Sequence, residues 1–148
     1  RRGGGGGRGR VAAGLGGRGL GRGRLAMITA VLGRRAGLSL GGSDVFVNVA
    51  GGVRVDEPAS DLAIALAIAS AHRDRPLARK TACFGEVSLT GDLRFSIGAE
   101  RRVDEAAKMG IETVILPEKN AAALGKKYDG IVLLGARNIS AALDKVFD

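Results

Sequence analysis

Residues 43–71 read S-D-V-F-V-N-V-A-G-G-V-R-V-D-E-P-A-S-D-L-A-I-A-L-A-I-A-S-A, and the fold class turns on this stretch. Val45, Val47 and Val49 alternate with Phe46, Asn48 and Ala50, the period-2 pattern with β-branched enrichment that marks a strand. Gly51 and Gly52 interrupt the alternation, and Val53-Arg54-Val55 resumes it. Asp56-Glu57-Pro58 then places acids and a proline where a helix begins. From Leu62 to Ala71 the chain is almost entirely Ala, Ile and Leu, without a charge. A helix apolar all round is a buried one, and this run is too short to span a bilayer. A strand pair leading into a buried helix predicts an α/β domain, with any site at the turn between them.

Downstream, His72-Arg73-Asp74-Arg75-Pro76 is a charged loop. Thr81 to Leu89 reads as one strand, Thr90-Gly91-Asp92 as a turn and Leu93-Arg94-Phe95 as the returning arm of a hairpin. Gly98 to Met109 has helical periodicity with Val103, Ala106 and Ala107 inward. Its charges are spaced to pair as Arg101 with Glu105 and Asp104 with Lys108. Thr113 to Pro117 is a short buried strand, Asn120 to Lys127 a short helix and Gly130 to Leu134 another apolar strand. Asn138-Ile139-Ser140 opens a last helix through Phe147. This β-α-β-α ending predicts a parallel pair joined by a crossover.

Upstream, Leu25, Ile28, Val31 and Leu32 lie at helical spacing and Gly37 supplies a stop, so a helix is expected over about 24–36. Before it, residues 1–24 hold seven arginines, twelve of the 25 glycines and no acid. Such a tract is expected to form neither helix nor strand, since ordering glycine costs entropy that little buried surface would offset. Three readings stand for it: an Arg/Gly tail that holds phosphates, a disordered linker, or GC-rich coding sequence translated out of frame. The expected division is therefore a tail over 1–24 and one domain over 25–148.

The net charge of +8 belongs to that tract, because residues 25–148 hold 16 basic against 15 acidic residues, a net of +1. Any large electrostatic footprint is thus assigned to the tail. Trp is absent and aromatics are 3% of the chain, which argues against base stacking on aromatic platforms. One cysteine, Cys83, excludes an internal disulfide framework and a Cys-rich zinc site. It lies in an apolar run and is expected to be a buried, inert thiol. His72 is the only histidine, ends a helix and has no second ligand at metal spacing. The chain opens on Arg1-Arg2 without methionine and is expected to be part of a longer polypeptide. No signal peptide or membrane span is recognisable, so a cytoplasmic location is expected and no membrane partner.

Taken together, V-N-V-A-G-G-V-R-V-D-E-P-A-S-D-L-A-I-A, then F-G-E-V-S-L-T-G-D-L-R, then E-A-A-K-M-G-I and V-I-L-P-E-K-N resemble the Lon-protease-like C-terminal domain of the bacterial RadA (Sms) DNA repair family. The resemblance covers residues 25–148 and implies a two-layer Lon-type α/β fold with a mixed sheet. Active Lon proteases place a serine nucleophile in a D-G-P-S-A-G turn and a lysine base on a later helix. By this resemblance the nucleophile slot here is Ala59 and the base slot Arg102. Alanine offers no attacking oxygen, and a guanidinium cannot take a proton from one. Ser60 lies one position on, about 100° around a helix, and Lys108 about 240° beyond Arg102, so neither is expected to substitute.

The resemblance implies a non-catalytic platform that forms a homo-oligomer, expected as a hexamer, and contacts DNA. In that family it sits beside an ATPase that drives branch migration in recombination, with a recombinase as a further partner. No cofactor is expected in this chain. ATP, Mg and Zn belong to the family's RecA-like ATPase and Cys₄ finger, and no G-x-x-x-x-G-K-[ST] occurs here. Arg54, Arg101 and Arg102 flank the old active-site turn and are the DNA-contact candidates. Two alternatives remain: a Lon-type Ser/Lys peptidase, and the Lon-like domain of a magnesium-chelatase-type AAA protein. The family has an apolar strand and a basic loop before the first helix. The Gly/Arg tract stands in their place here, which would leave one strand missing and its neighbour's edge open.

Overall fold

Thr113-Val114-Ile115-Leu116-Pro117 is apolar on both sides of its pleat, and the fold uses both. A computed structural model describes residues 10–15, 22–38, 44–49, 58–78, 80–125 and 128–147. The elements in order are β1 (Arg10–Leu15), α1 (Arg22–Arg35), β2 (Asp44–Val49), a 3₁₀ turn (Pro58–Ser60) and α2 (Asp61–Arg73). After them come β3 (Thr81–Cys83), β4 (Glu86–Val87), β5 (Leu93–Arg94) and α3 (Ala99–Lys108). The chain ends with β6 (Thr113–Pro117), α4 (Glu118–Leu124), β7 (Val132–Ala136) and α5 (Ile139–Phe147).

β6 lies between β3 and β7 in a parallel sheet, with Thr113 opposite Thr81 on one side and Val132 on the other. Ile115 faces a core built from α1, α2 and α5, while Val114 and Leu116 face a second core with α3 and α4. This is the both-faces burial expected of a continuous apolar strand. The α/β class and the parallel β-α-β-α ending hold, and at this sheet helices cover both faces. Close packing sets one residue: a Cβ on Gly135 of β7 would lie 3.0 Å from Ala121 Cβ and 3.1 Å from the Glu118 Cα, so only glycine lets α4 approach.

α2 is the central rod. Leu62, Ile64, Ala65, Leu66, Ile68 and Ala69 are buried against Ile28, Val31 and Leu32 of α1 and Ile139, Leu143 and Phe147 of α5. Each fully buried Leu or Ile contributes about 1.5–3 kcal/mol. Asp74 ends the helix in the left-handed region (φ 52°), returning its N–H to the Ala71 carbonyl, and short polar side chains tolerate that conformation. The guanidiniums of Arg73 and Arg75 lie 5.0 and 5.4 Å from the centroid of the Phe147 ring, tying the end of α2 to the end of α5. At the start of α5, Asn138 Oδ1 accepts from the Ala141 N–H at 2.8 Å, an N-cap.

Three expectations need correction. Residues 1–24 were expected to lack strands and to leave an open edge. Instead β1 pairs in parallel with β2 from Arg10↔Asp44 to Leu15↔Val49, close to α2, and α1 already starts at Arg22. Six ladder positions on an existing strand supply what glycine-rich composition alone lacks. The single strand over 81–89 is two: β3 joins the parallel sheet, whereas β4 leaves it to pair with β5, Glu86 opposite Arg94 and Val87 opposite Leu93. The expected hairpin is therefore present, but its first arm starts after a break at Phe84-Gly85. In α3, Val103 and Ala106 are buried as expected while Ala107 is exposed, because the inward stripe runs through Ala99 instead. The second arm of the expected strand pair, Val53-Arg54-Val55, lies outside the described residues.

Candidate functional site

The turn into α2 is built from backbone. Ala59, in the 3₁₀ turn, is buried, and its carbonyl accepts from the Gly85 N–H at 2.7 Å. The Leu62 N–H donates in return to the Gly85 carbonyl at 2.9 Å. Two reciprocal bonds thus clip the entry of α2 to the point where β3 ends, and they account for the break at Gly85. That glycine has φ +153°, and a Cβ there would meet Pro117 Cγ at 3.2 Å.

The neighbouring Phe84 brings in Arg102, the residue expected in the base slot. The Phe84 side chain is buried, and the Arg102 guanidinium from α3 stands 5.7 Å from its ring centroid, a cation–π arrangement. Ala59 and Arg102 are therefore joined through Phe84-Gly85: the first by hydrogen bonds to Gly85, the second by stacking on Phe84. Arg101 is exposed and Arg102 half-buried, and both line a groove of about 880 Å³ with Cys83, Phe84, Ile97 and Met109. Ile97 and Met109 are strongly exposed there, at 90% and 78%. Cys83 as a residue is half-buried, while enclosure of its thiol pushes the pKa up to about 12, which suits an inert sulfur. Arg54 lies outside the described residues. Ser60 is the half-buried N-cap residue of α2 and its side chain does not cap the helix. Lys108 is exposed at the end of α3 and His72 half-buried in the last turn of α2. Among the described residues no ion pair within 4 Å joins Arg101 to Glu105 or Asp104 to Lys108; those seen are Arg24–Asp61, Lys80–Glu112 and Arg137–Glu118. Among them, too, no group of three His, Cys, Asp or Glu is placed to hold a metal, and no helix is long and apolar enough to cross a membrane.

Residues 25–120 match the family model described as subunit ChlI of Mg-chelatase. The chain belongs to this family. It is also 45% identical over 139 residues to the DNA repair protein RadA of Escherichia coli (strain K12), covering 94% of this chain and 28% of that protein. RadA of Streptococcus pyogenes serotype M1 is 42% identical over 124 residues, 84% of this chain and 27% of that protein. RadA of Listeria monocytogenes serovar 1/2a is 42% identical over 123 residues, 82% and 26% respectively. The resemblance to the RadA family holds, and the chain spans about a quarter of the length of these relatives. Residues 25–148 number 124, so the 139-residue match with the Escherichia coli protein reaches into the Gly/Arg tract.

Two positions escaped the sequence reading. Asp61, immediately after the turn, is 1% exposed. Its Oδ1 accepts from Arg24 Nε at 2.6 Å and its Oδ2 from the Val87 N–H at 3.0 Å. One carboxylate therefore holds α1, α2 and β4 together around the slot. Burial raises its pKa above 3.8, opposed by the Val87 N–H and the Arg24 charge. The only signal was a lone acid heading an apolar run. Asn120 is the second: buried, it accepts from the Ser96 N–H at 2.8 Å and donates to the Ser96 carbonyl at 3.0 Å, fixing the segment after β5 to α4.

Proposed function

We propose that this chain is a non-catalytic assembly and DNA-binding module of a RadA-like DNA repair ATPase that acts on recombination intermediates. The observation that supports it most is the clipped turn. Backbone hydrogen bonds clip Ala59 and Leu62 to Gly85, yet the side chain expected to be the nucleophile is a methyl group and the one expected to be the base is a guanidinium over the Phe84 ring. A fold that keeps such a turn without a nucleophile keeps it for shape. The names of the relatives, DNA repair protein RadA, supply the context.

In this reading the partners are DNA, further copies of the chain in a ring of six, and a recombinase. ATP, Mg and Zn belong to ATPase and zinc-finger segments of the whole protein. Arg101 is the cleaner phosphate contact, because it is exposed, while Arg102 is engaged with Phe84. The test is DNA affinity of the full-length protein as a function of salt, with native mass for the ring. Affinity is expected to fall steeply with salt, by a slope of about −0.9 per duplex phosphate contacted. Arg101→Ala and Arg102→Ala are expected to weaken binding while the fold persists; unchanged affinity removes these two residues from the interface.

A second reading follows from the family match itself: a partner platform in a magnesium-chelatase-type AAA protein. The upstream coding sequence separates the two, since a RecA-like ATPase with a Cys₄ finger supports the first and an AAA module the second.

A further inference from the structure

Three cations from three separate segments meet beside the β4–β5 hairpin. Arg94 of β5, Lys119 of α4 and Arg137 between β7 and α5 line a depression of about 480 Å³, with Phe95 in its wall. Phe95 is 54% exposed, on a segment that is held at both ends. On one side the Leu93 N–H donates to the Arg137 carbonyl at 3.0 Å, and on the other Asn120 grips both backbone groups of Ser96. An aromatic ring is thus presented to solvent on a segment held at both ends, in a depression also lined by Arg94, Lys119 and Arg137. A depression of this size is in the range that holds a small ligand.

Two acids share the wall. The Asp92 carboxylate accepts the Thr90 hydroxyl at 2.9 Å, and Glu118 Oε2 stands 3.5 Å from Arg137 Nε, both side chains of that pair being largely exposed. An exposed ion pair of this kind contributes little to stability. Cations spaced around one exposed ring match a strand in which phosphates alternate with unstacked bases. A duplex does not match it, because its bases offer no free face.

We infer that this depression holds one nucleotide of single-stranded DNA, its base over Phe95 and its flanking phosphates between Arg94, Lys119 and Arg137. The inference rests on the DNA-binding reading above and adds where, and in what strand form, DNA is held. Scarce aromatics argue against a platform of several rings; one ring on a rigid segment suffices for one base.

The experiment is fluorescence anisotropy of the full-length protein with labelled dT20, an abasic oligonucleotide of equal length and a 20-base-pair duplex. Phe95→Ala is expected to weaken dT20 binding about tenfold, leave the abasic strand and the duplex unchanged, and be rescued by Phe95→Trp. The triple variant Arg94→Ala, Lys119→Ala, Arg137→Ala is expected to reduce the salt slope on dT20 by about 1.4, at about 0.7 for each of the two flanking phosphates. If Phe95→Ala binds dT20 as tightly as the wild type, or loses the abasic strand equally, base stacking is overturned. An unchanged salt slope in the triple variant overturns the phosphate contacts. A wild-type protein that binds dT20 with unaffected variants sinks this site alone, whereas one that binds no DNA sinks the DNA-binding reading and this site with it. All four residues are exposed, and circular dichroism confirms that each variant is folded.

Discussion

Asp61 sits 37 residues from Arg24 in sequence and 2.6 Å from it in space. Nothing in either local stretch announces the pair, since a helix-opening acid and a basic residue before a helix each have ordinary local explanations. Arg24 is a quarter exposed and Asp61 buried, so Arg24→Ala leaves a buried acceptor without its cation and is expected to lower stability by about 1–3 kcal/mol. Arg24→Met combined with Asp61→Leu is expected to lose less, and urea denaturation of the two variants checks the order. The carboxyl also makes stability depend on pH. Its folded pKa is raised above 3.8, so the folded state binds this proton more tightly than the unfolded one. The group therefore adds stability as pH falls through the raised value towards 3.8 and loses it as pH rises. Compared with Asp61→Asn, the wild type is expected to gain relative stability on acidification from about pH 7 to 4. A relative loss over that range would show that the Arg24 pair outweighs burial.

At the scale of elements, the periodic segments were legible and the tertiary interruptions were not. Val45, Val47 and Val49 announce β2 by alternation alone, and Leu62 to Ala71 announce a buried helix by lacking charge. The break at Phe84-Gly85 is invisible because T-A-C-F-G-E-V-S-L keeps strand character throughout. It arises from hydrogen bonds to Ala59 and Leu62, 26 and 23 residues upstream. β1 was missed for a related reason: its composition argues against order, and its partner is a strand some thirty residues later. Of the site, Ala59, Arg101 and Arg102 could be nominated from the resemblance to Lon-type domains, whereas the Phe84 ring under Arg102 could not. Gly85 should accordingly resist substitution. Gly85→Ala adds a methyl 3.2 Å from Pro117 Cγ at φ +153°, and is expected to cost about 1–3 kcal/mol and loosen the turn. Hydrogen exchange at the Gly85 and Leu62 amides would report it, and unchanged protection would separate the clip from this residue.

For the whole molecule, β6 stands between two cores, one with α1, α2 and α5 and one with α3 and α4. The net charge of residues 25–148 is only +1, so any DNA contact through them is local rather than a broad field. Catalytic silence of the clipped turn is the central property. Its most direct test is hydrolysis of casein and a fluorogenic peptide by the purified protein, alongside Ser60→Ala. No turnover above buffer is expected from either, while the wild type still binds DNA. Hydrolysis by the wild type that disappears in Ser60→Ala would contradict it and return the chain to the Ser/Lys peptidases.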